Sequence, residues 1–165
     1  MNTPDFADLP ASVQKVQRAL HEAGVEVQVV MLADAARTSQ QAADALGVEL
    51  GQIAKSLVFR ARESGRAVLV IASGSNRVDE RKVAALIGEK IERAAPDFVR
   101  EQTGYAIGGI PPLGHASPLL VLLDRSLARY DVVWGAAGHP HSVFPIAPAR
   151  LFEVAGGRVE DVAQD

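Results

Sequence analysis

Ile53-Ala54-Lys55-Ser56-Leu57-Val58-Phe59 and Ala67-Val68-Leu69-Val70-Ile71-Ala72 stand on either side of Arg62-Glu63-Ser64-Gly65-Arg66. Two apolar runs rich in β-branched residues around a polar turn predict a β-hairpin, with Gly65 supplying the positive φ. N-terminal to it, Val13, Val16 and Leu20 recur at helical spacing between Pro10 and Gly24, which predicts a helix over about 11–23. Val25–Leu32 alternates and is expected to be a strand. Thr38 or Ser39 caps a short helix through Leu46, and Gly47 ends it.

C-terminal to the hairpin, Asp79 caps a helix whose apolar face is Val83, Leu86 and Ile87. A short segment around Ile91 follows, then a helix opened by Pro96 and running to Gln102. Tyr105–Gly114 holds three glycines and two prolines, which forbids regular helix or central strand. Leu119–Leu123, Val132–Gly135 and Ser142–Ile146 are expected strands, with a short polar helix near Asp124–Ala128. Pro148 opens a last helix that Gly156-Gly157 ends, and the tail Arg158–Asp165 is expected to be frayed. Roughly six or seven strands and five helices without strict alternation give an α/β class of the mixed α+β kind.

The chain has 165 residues, so residues 1–165 are expected to form one domain. It contains no cysteine, which excludes disulfides, thiolate metal sites and a cysteine nucleophile. Apolar residues make up 48 % and charged residues 22 %, a globular composition rather than a disordered one. No apolar run approaches the ~18 residues of a membrane span. Met1–Pro10 carries Asp5 and Asp8 and no basic region, unlike a signal peptide, so a cytoplasmic protein without a membrane partner is expected. The net charge of −3 makes the whole chain a poor match to a DNA-coating protein, and no DNA partner is expected.

That charge is uneven. Lys55, Arg60, Arg62, Arg66, Arg77, Arg81 and Lys82 face only Glu63, Asp79 and Glu80 in the same segment, which sums to +4. A basic face on an acidic protein suits a polyanion, or is simply a solvated hairpin.

Four places could carry chemistry. Lys55 in an apolar strand opening is either a point charge for a phosphate or carbonyl, or an edge lysine that blunts strand pairing. Gly108-Gly109-Ile110-Pro111-Pro112 is either a stiff loop that aims backbone N–H groups at an anion or carbonyl, or a plain turn. Asn76 and Arg77 precede a helix, a position that suits an anion as well as ordinary loop capping. Gly138, His139, His141 and Ser142 form a fourth cluster. The two histidines, even with His115, lack the spacing of a metal site, and Ser142 lacks the elbow of a serine hydrolase, so neither a metal nor any other cofactor is expected.

The order of these features resembles the YbaK / prolyl-tRNA synthetase-associated domain family, aminoacyl-tRNA deacylases that edit mischarged tRNA. The likeness runs over about residues 25–155 and rests on Lys55 in its apolar strand followed by the Gly-x-x-x-Pro loop Gly108–Pro112. It implies a mixed sheet curled toward a barrel and ringed by short helices. It also implies hydrolysis of the ester between an amino acid and the terminal ribose of tRNA. Lys55 would hold the tRNA end. Gly108 and Gly109, with Ile110, Pro111 and Pro112, would bind the aminoacyl carbonyl or amino group. Asn76, Arg77, Gly138 and His139 would complete the substrate site. In the family the loop often runs Gly-Gly-x-Ser-Pro, and here Pro111 replaces the serine. Ala136 and Val143 stand where the cysteinyl-tRNA deacylase branch tends to have Ser and Asp. These departures point to a freestanding branch that clears another small amino acid, such as alanine, from prolyl tRNA. The implied partners are aminoacyl-tRNA and prolyl-tRNA synthetase.

Without a protein nucleophile in view, water attacks the ester, backbone N–H groups hold the oxyanion, and the ribose 2′-hydroxyl is a candidate to orient the water. A non-catalytic tRNA- or synthetase-binding module of the same fold is the alternative. A small-molecule-binding stress protein is a third reading, which the basic segment disfavours.

Overall fold

The hairpin forms the middle of an eight-stranded mixed sheet in the computed structural model, which describes residues 5–165. The first four residues of the Met1–Pro10 segment lie outside the described residues. In chain order the elements are α1 (Ala11–Glu22), β1 (Val30–Met31), α2 (Ser39–Leu46), β2 (Ile53–Ala61) and β3 (Ala67–Ser73). Then come α3 (Glu80–Ile87), β4 (Ile91–Arg93), α4 (Pro96–Thr103), β5 (Leu120–Asp124) and β6 (Val133–Ala136). The chain closes with β7 (Ser142–Ile146), α5 (Pro148–Ala155) and β8 (Arg158–Glu160). The sheet order is β1-β7-β6-β2-β3-β5-β8, with β4 on the free end of β2. The β2·β6, β3·β5 and β5·β8 pairs are parallel and the rest antiparallel.

Every residue of β3 is buried, because helices cover both faces of the sheet. Alternation along the strand divides the core. Leu69 and Ile71 join α1 (Val13, Val16, Leu20), Phe144 and Leu151 on one face. Val68, Val70 and Ala72 join Phe59, Val83 and Leu122 on the other. The turn between β2 and β3 closes with Gly65 at φ +73°, as its sequence demands.

Three expectations from sequence are corrected. The strand expected over Val25–Leu32 is only the two residues of β1. Upstream of it, the Gln17 amide of α1 donates to the Val27 carbonyl (2.8 Å) and accepts from the Val29 N–H (2.9 Å). A side chain has taken the backbone groups a neighbouring strand would have used. The helix near Asp124–Ala128 is a 3-10 turn, Arg125–Arg129, capped by the Asp124 carboxylate on the Ser126 N–H at 2.9 Å. The tail is not frayed. Residues of β8 pair with β5, Val162 is fully buried, and the Asp79 N–H donates to the Val162 carbonyl at 2.7 Å.

The basic segment is also narrower than its sequence implies. Arg60 and Arg62 pair with Glu92 of β4, Arg66 with Glu89, and Lys82 with Asp161 and Asp165 of the tail. Those acids lie outside the segment in sequence and are brought to it by the fold. Among the described residues Lys55, Arg77 and Arg81 keep no ion pair.

Candidate active site

β2 carries the site because its second edge is interrupted. On one edge β3 pairs with it continuously from Ala54 to Arg60. On the other, β6 pairs only at Ile53 and Ala54, and β4 only from Phe59 to Ala61. The Gly74 N–H donates to the Ile53 carbonyl (2.7 Å) and the Ala61 N–H to the Arg66 carbonyl (2.9 Å), so odd-numbered residues of β2 aim their backbone groups at β3. Alternate residues of an antiparallel pair point the other way. The N–H and C=O of Ser56 therefore face the gap between β6 and β4. The Ser56 hydroxyl is itself buried with no partner among the described residues.

Two cavities open at this gap and share Lys55, Ser56, Leu57, Ile107 and Ile110. The larger, about 820 Å³, is polar on its far side, where Asn76, Arg77, Glu80 and Arg93 line it. The smaller, about 340 Å³, has apolar walls that include Ala42, Ile53, Trp134, Ala136 and Val143. Ala136 and Val143 face each other across the β6·β7 ladder.

Lys55 sits where the cavities meet. Its Nζ donates to the Asn76 carbonyl at 2.6 Å. Burial holds its pKa below the ordinary lysine value, and the Arg77 charge adds to that; the Asp124 carboxylate opposes them.

The glycine–proline loop crosses the mouth. Ala106–Gly109 is a tight turn closed by the Gly109 N–H on the Ala106 carbonyl at 3.2 Å, with Gly108 at φ +99°. Gly108 lines the smaller cavity, and Ile107, 59 % exposed, overhangs both.

The loop's other residues lie differently from what their sequence suggests. Gly109 is buried, and a Cβ there would sit 2.7 Å from the His139 nitrogen and 2.8 Å from the Gly138 carbonyl carbon. Its own N–H is already spent in the turn, so Gly109 serves close packing rather than offering a donor. Pro111 and Pro112 are buried behind the loop and line neither cavity. His115 Nε2 bonds the Pro111 carbonyl at 2.7 Å, and burial lowers the His115 pKa, so the neutral ring donates there. Ile110 does reach both cavities.

Gly138 packs on the start of α1, where a Cβ would lie 2.6 Å from the Ser12 carbonyl oxygen, and it lines neither cavity. His139 lines the smaller one, its Nδ1 accepting from the His141 N–H at 3.1 Å. Ser142 donates its hydroxyl to the His139 carbonyl at 2.9 Å, so its proton is directed at a carbonyl and not at a general base. Among the described residues no group of three His, Asp or Glu side chains could hold a metal ion. Asn76 lines the larger cavity, but its side-chain amide is committed to Asp124 at 2.9 Å.

Ser56, Ile107, Asp124 and Trp134 were not among the sequence-derived site residues. Ile107 had a readable signal, an apolar residue at the tip of a glycine-rich loop. Ser56 had none, because the break in β2 pairing depends on strands far along the chain.

A family model described as the aminoacyl-tRNA editing domain matches residues 33–154. The crystal structure of a candidate trans-editing enzyme for prolyl tRNA synthetase superposes with a TM-score of 0.91 at 43 % identity, covering 96 % of this chain and 100 % of that one. YwhH of Bacillus subtilis (strain 168), a protein described as uncharacterized, is 36 % identical over 93 % of this chain and 98 % of its own length. EbsC of Enterococcus faecalis (strain ATCC 700802 / V583), named as a candidate Cys-tRNA(Pro)/Cys-tRNA(Cys) deacylase, is 27 % identical over 76 % of each chain. No helix among the described residues is long and apolar enough to cross a membrane.

Proposed function

The chain belongs to the aminoacyl-tRNA editing domain family, and from that premise we propose how its site works and what it accepts. It is a hydrolase that deacylates mischarged aminoacyl-tRNA in trans. The observation that carries the reading of the site is the position of Lys55 at the junction of a polar and an apolar cavity.

The polar cavity takes the terminal nucleotide of the tRNA, with Lys55, Arg77 and Arg93 toward its phosphate and ribose. The apolar cavity takes the amino-acid side chain. The ester lies between them, beneath the Ile107–Gly108 turn. Water attacks the ester carbonyl carbon, the acyl–oxygen bond breaks, and the ribose hydroxyl leaves with a proton. As the water adds, and before the acyl–oxygen bond breaks, oxyanion charge develops within reach of the exposed turn amides, which need little reorganisation because Pro111 and Pro112 stiffen the chain behind them. The ribose 2′-hydroxyl orients the attacking water.

With Ala136 and Val143 as its walls, the smaller cavity suits a small side chain such as alanine. We read the substrate as prolyl tRNA carrying that residue, prolyl-tRNA synthetase as the enzyme whose errors are cleared, and the cytoplasm as the place. A hydrophobic pocket separates one methylene by only about 10–200-fold, which is the gap a separate hydrolase closes.

The test is release of amino acid from a panel of charged tRNAs. Alanyl-tRNA(Pro) is expected to be cleaved well ahead of prolyl-tRNA(Pro). Equal rates on both, or none on any, would sink the substrate reading. The ion pairing of the basic segment gives a second expectation. With Lys55, Arg77 and Arg93 as the phosphate contacts, log affinity for tRNA should fall against log salt with a slope of about −2, at roughly −0.7 per contact on single-stranded RNA. A slope of about −4 would show that Arg60, Arg62 and Arg66 leave their carboxylates to bind tRNA.

A further inference from the structure

Asp124 ends β5, is fully buried, and has no part in the mechanism above. One oxygen, Oδ2, accepts from the Ser73 N–H at 3.0 Å and from the Asn76 side-chain amide at 2.9 Å. The other, Oδ1, accepts from the Ser126 N–H at 2.9 Å. Ser73 is the last residue of β3, and Asn76 lies in the loop that carries the chain from β3 to α3. The backbone carbonyl of that same Asn76 receives the Lys55 ammonium at 2.6 Å. A single carboxylate thus ties down both ends of the short Ser73–Asn76 loop, whose last carbonyl holds the one lysine between the two cavities.

We infer that Asp124 is the positioning residue of this site: by anchoring Ser73 and Asn76 it fixes the carbonyl that aims Lys55 at the substrate. Ordinary loop capping does not require this arrangement. A buried carboxylate is costly unless its lone pairs are filled, and here all three donors come from the loop and from the turn after β5. An amide of the same shape cannot replace it. Whichever way the side-chain amide of an Asp124→Asn variant is turned, its NH₂ group faces an N–H donor, at Ser73 or at Ser126. The Lys55 pKa supports the geometry, because Asp124 is the group that opposes its lowering by burial. The other titratable or charged groups around the two cavities are Arg37, Arg77, Glu80, Arg93 and His139.

Two variants test this, Asp124→Asn and Asn76→Ala, each measured three ways: thermal melting, the pH at which the Lys55 side chain titrates by carbon NMR, and KM and kcat for deacylation. The kinetic measurement rests on the deacylase reading; the titration does not. The sign of the titration shift in Asp124→Asn follows from charge. Removing the carboxylate removes the influence that raises the Lys55 pKa, so Lys55 should lose its proton at lower pH than in the wild type. Both variants should raise KM about 10-fold or more while kcat changes less. If Asp124 were only structural, melting would fall while the KM of the folded fraction, and the Lys55 titration in Asn76→Ala, which removes no charge, stayed at wild-type values, and that result overturns the inference. If Asp124→Asn does not fold, Asn76→Ala decides, since it removes a single hydrogen bond at a half-buried position; an unchanged KM there overturns the inference as well. If no tRNA is cleaved even by the wild type, the deacylase reading fails, and a shifted Lys55 titration in Asn76→Ala, which removes no charge, still upholds the positioning role.

Discussion

Lys55→Ala leaves the chain folded and lowers kcat/KM for deacylation by at least about 100-fold, a loss of roughly 2.7 kcal/mol in transition-state stabilisation. The size follows from where the ammonium stands. It is half-buried at the meeting of two cavities, its one hydrogen-bond partner among the described residues is a neutral carbonyl, and its remaining donors are open to substrate. A charge-assisted hydrogen bond in such a place is worth about 1.5–3 kcal/mol, against less than about 1 kcal/mol for an exposed ion pair. The fold should tolerate the change, because the pairing of Lys55 with Ala72 of β3 uses backbone groups only and the side chain belongs to neither core cluster. Lys55→Arg should not restore activity, since a planar fork cannot occupy the slot of a compact ammonium at the Asn76 carbonyl. The measurement is initial rate on mischarged tRNA with melting as the control. Near-wild-type turnover in a normally melting Lys55→Ala would leave Lys55 as an edge lysine that blunts strand pairing.

Gly109→Ala and Gly108→Ala, adjacent in sequence, should fail in opposite ways. At Gly109 the new methyl meets backbone atoms of Gly138 and His139 at 2.7–3.0 Å, and those residues cannot retreat. The Gly138 N–H is bonded to the Gly109 carbonyl at 2.8 Å, and Gly138 itself is pressed against the Ser12 carbonyl. Overpacking of this kind costs about 1–3 kcal/mol, and melting should drop by about 2–12 °C in a chain of this length. At Gly108 a methyl has room, its nearest neighbour being the Pro140 ring at 3.8 Å, but the φ of +99° disfavours any Cβ. The turn must relax, its amides move, and turnover should fall by on the order of 100-fold, comparable to losing an oxyanion donor, with a small change in melting. If instead Gly109→Ala melts normally and Gly108→Ala turns over at the wild-type rate, the loop is a plain turn and the ester is bound elsewhere.

Much of the fold was legible in local sequence because its causes are local. The β2–β3 hairpin follows from two apolar runs and a turn that needs positive φ at Gly65. The boundaries of α2, α3, α4 and α5 follow from caps, from Pro96 and Pro148, and from terminal glycines. The same inventory singled out Lys55 and the Gly108–Pro112 loop, because a lysine inside an apolar strand and a run of glycine and proline are unusual wherever the chain folds.

What only the tertiary structure decided depends on partners far away in sequence. Val25–Leu32 has strand composition, yet the Gln17 amide claims the backbone of Val27 and Val29. Arg158–Asp165 looks like a loose end until β5 offers it an edge and a pocket receives Val162. Arg60, Arg62, Arg66 and Lys82 form a basic stretch only when charge is counted along the chain, since Glu89, Glu92, Asp161 and Asp165 fold onto them. Gly108 and Gly109 are alike as letters, and only the backbone of Gly138 and His139 makes one a packing glycine and leaves the other facing a cavity. The gap beside Ser56 exists because β6 stops at one end of β2 and β4 begins at the other. The Asp124 anchor joins residues 48 and 51 positions apart. Short-range chemistry fixes which residues are unusual; the long-range pairing of strands fixes which of them share a cavity, because backbone hydrogen bonds and buried charge are satisfied only across the assembled sheet.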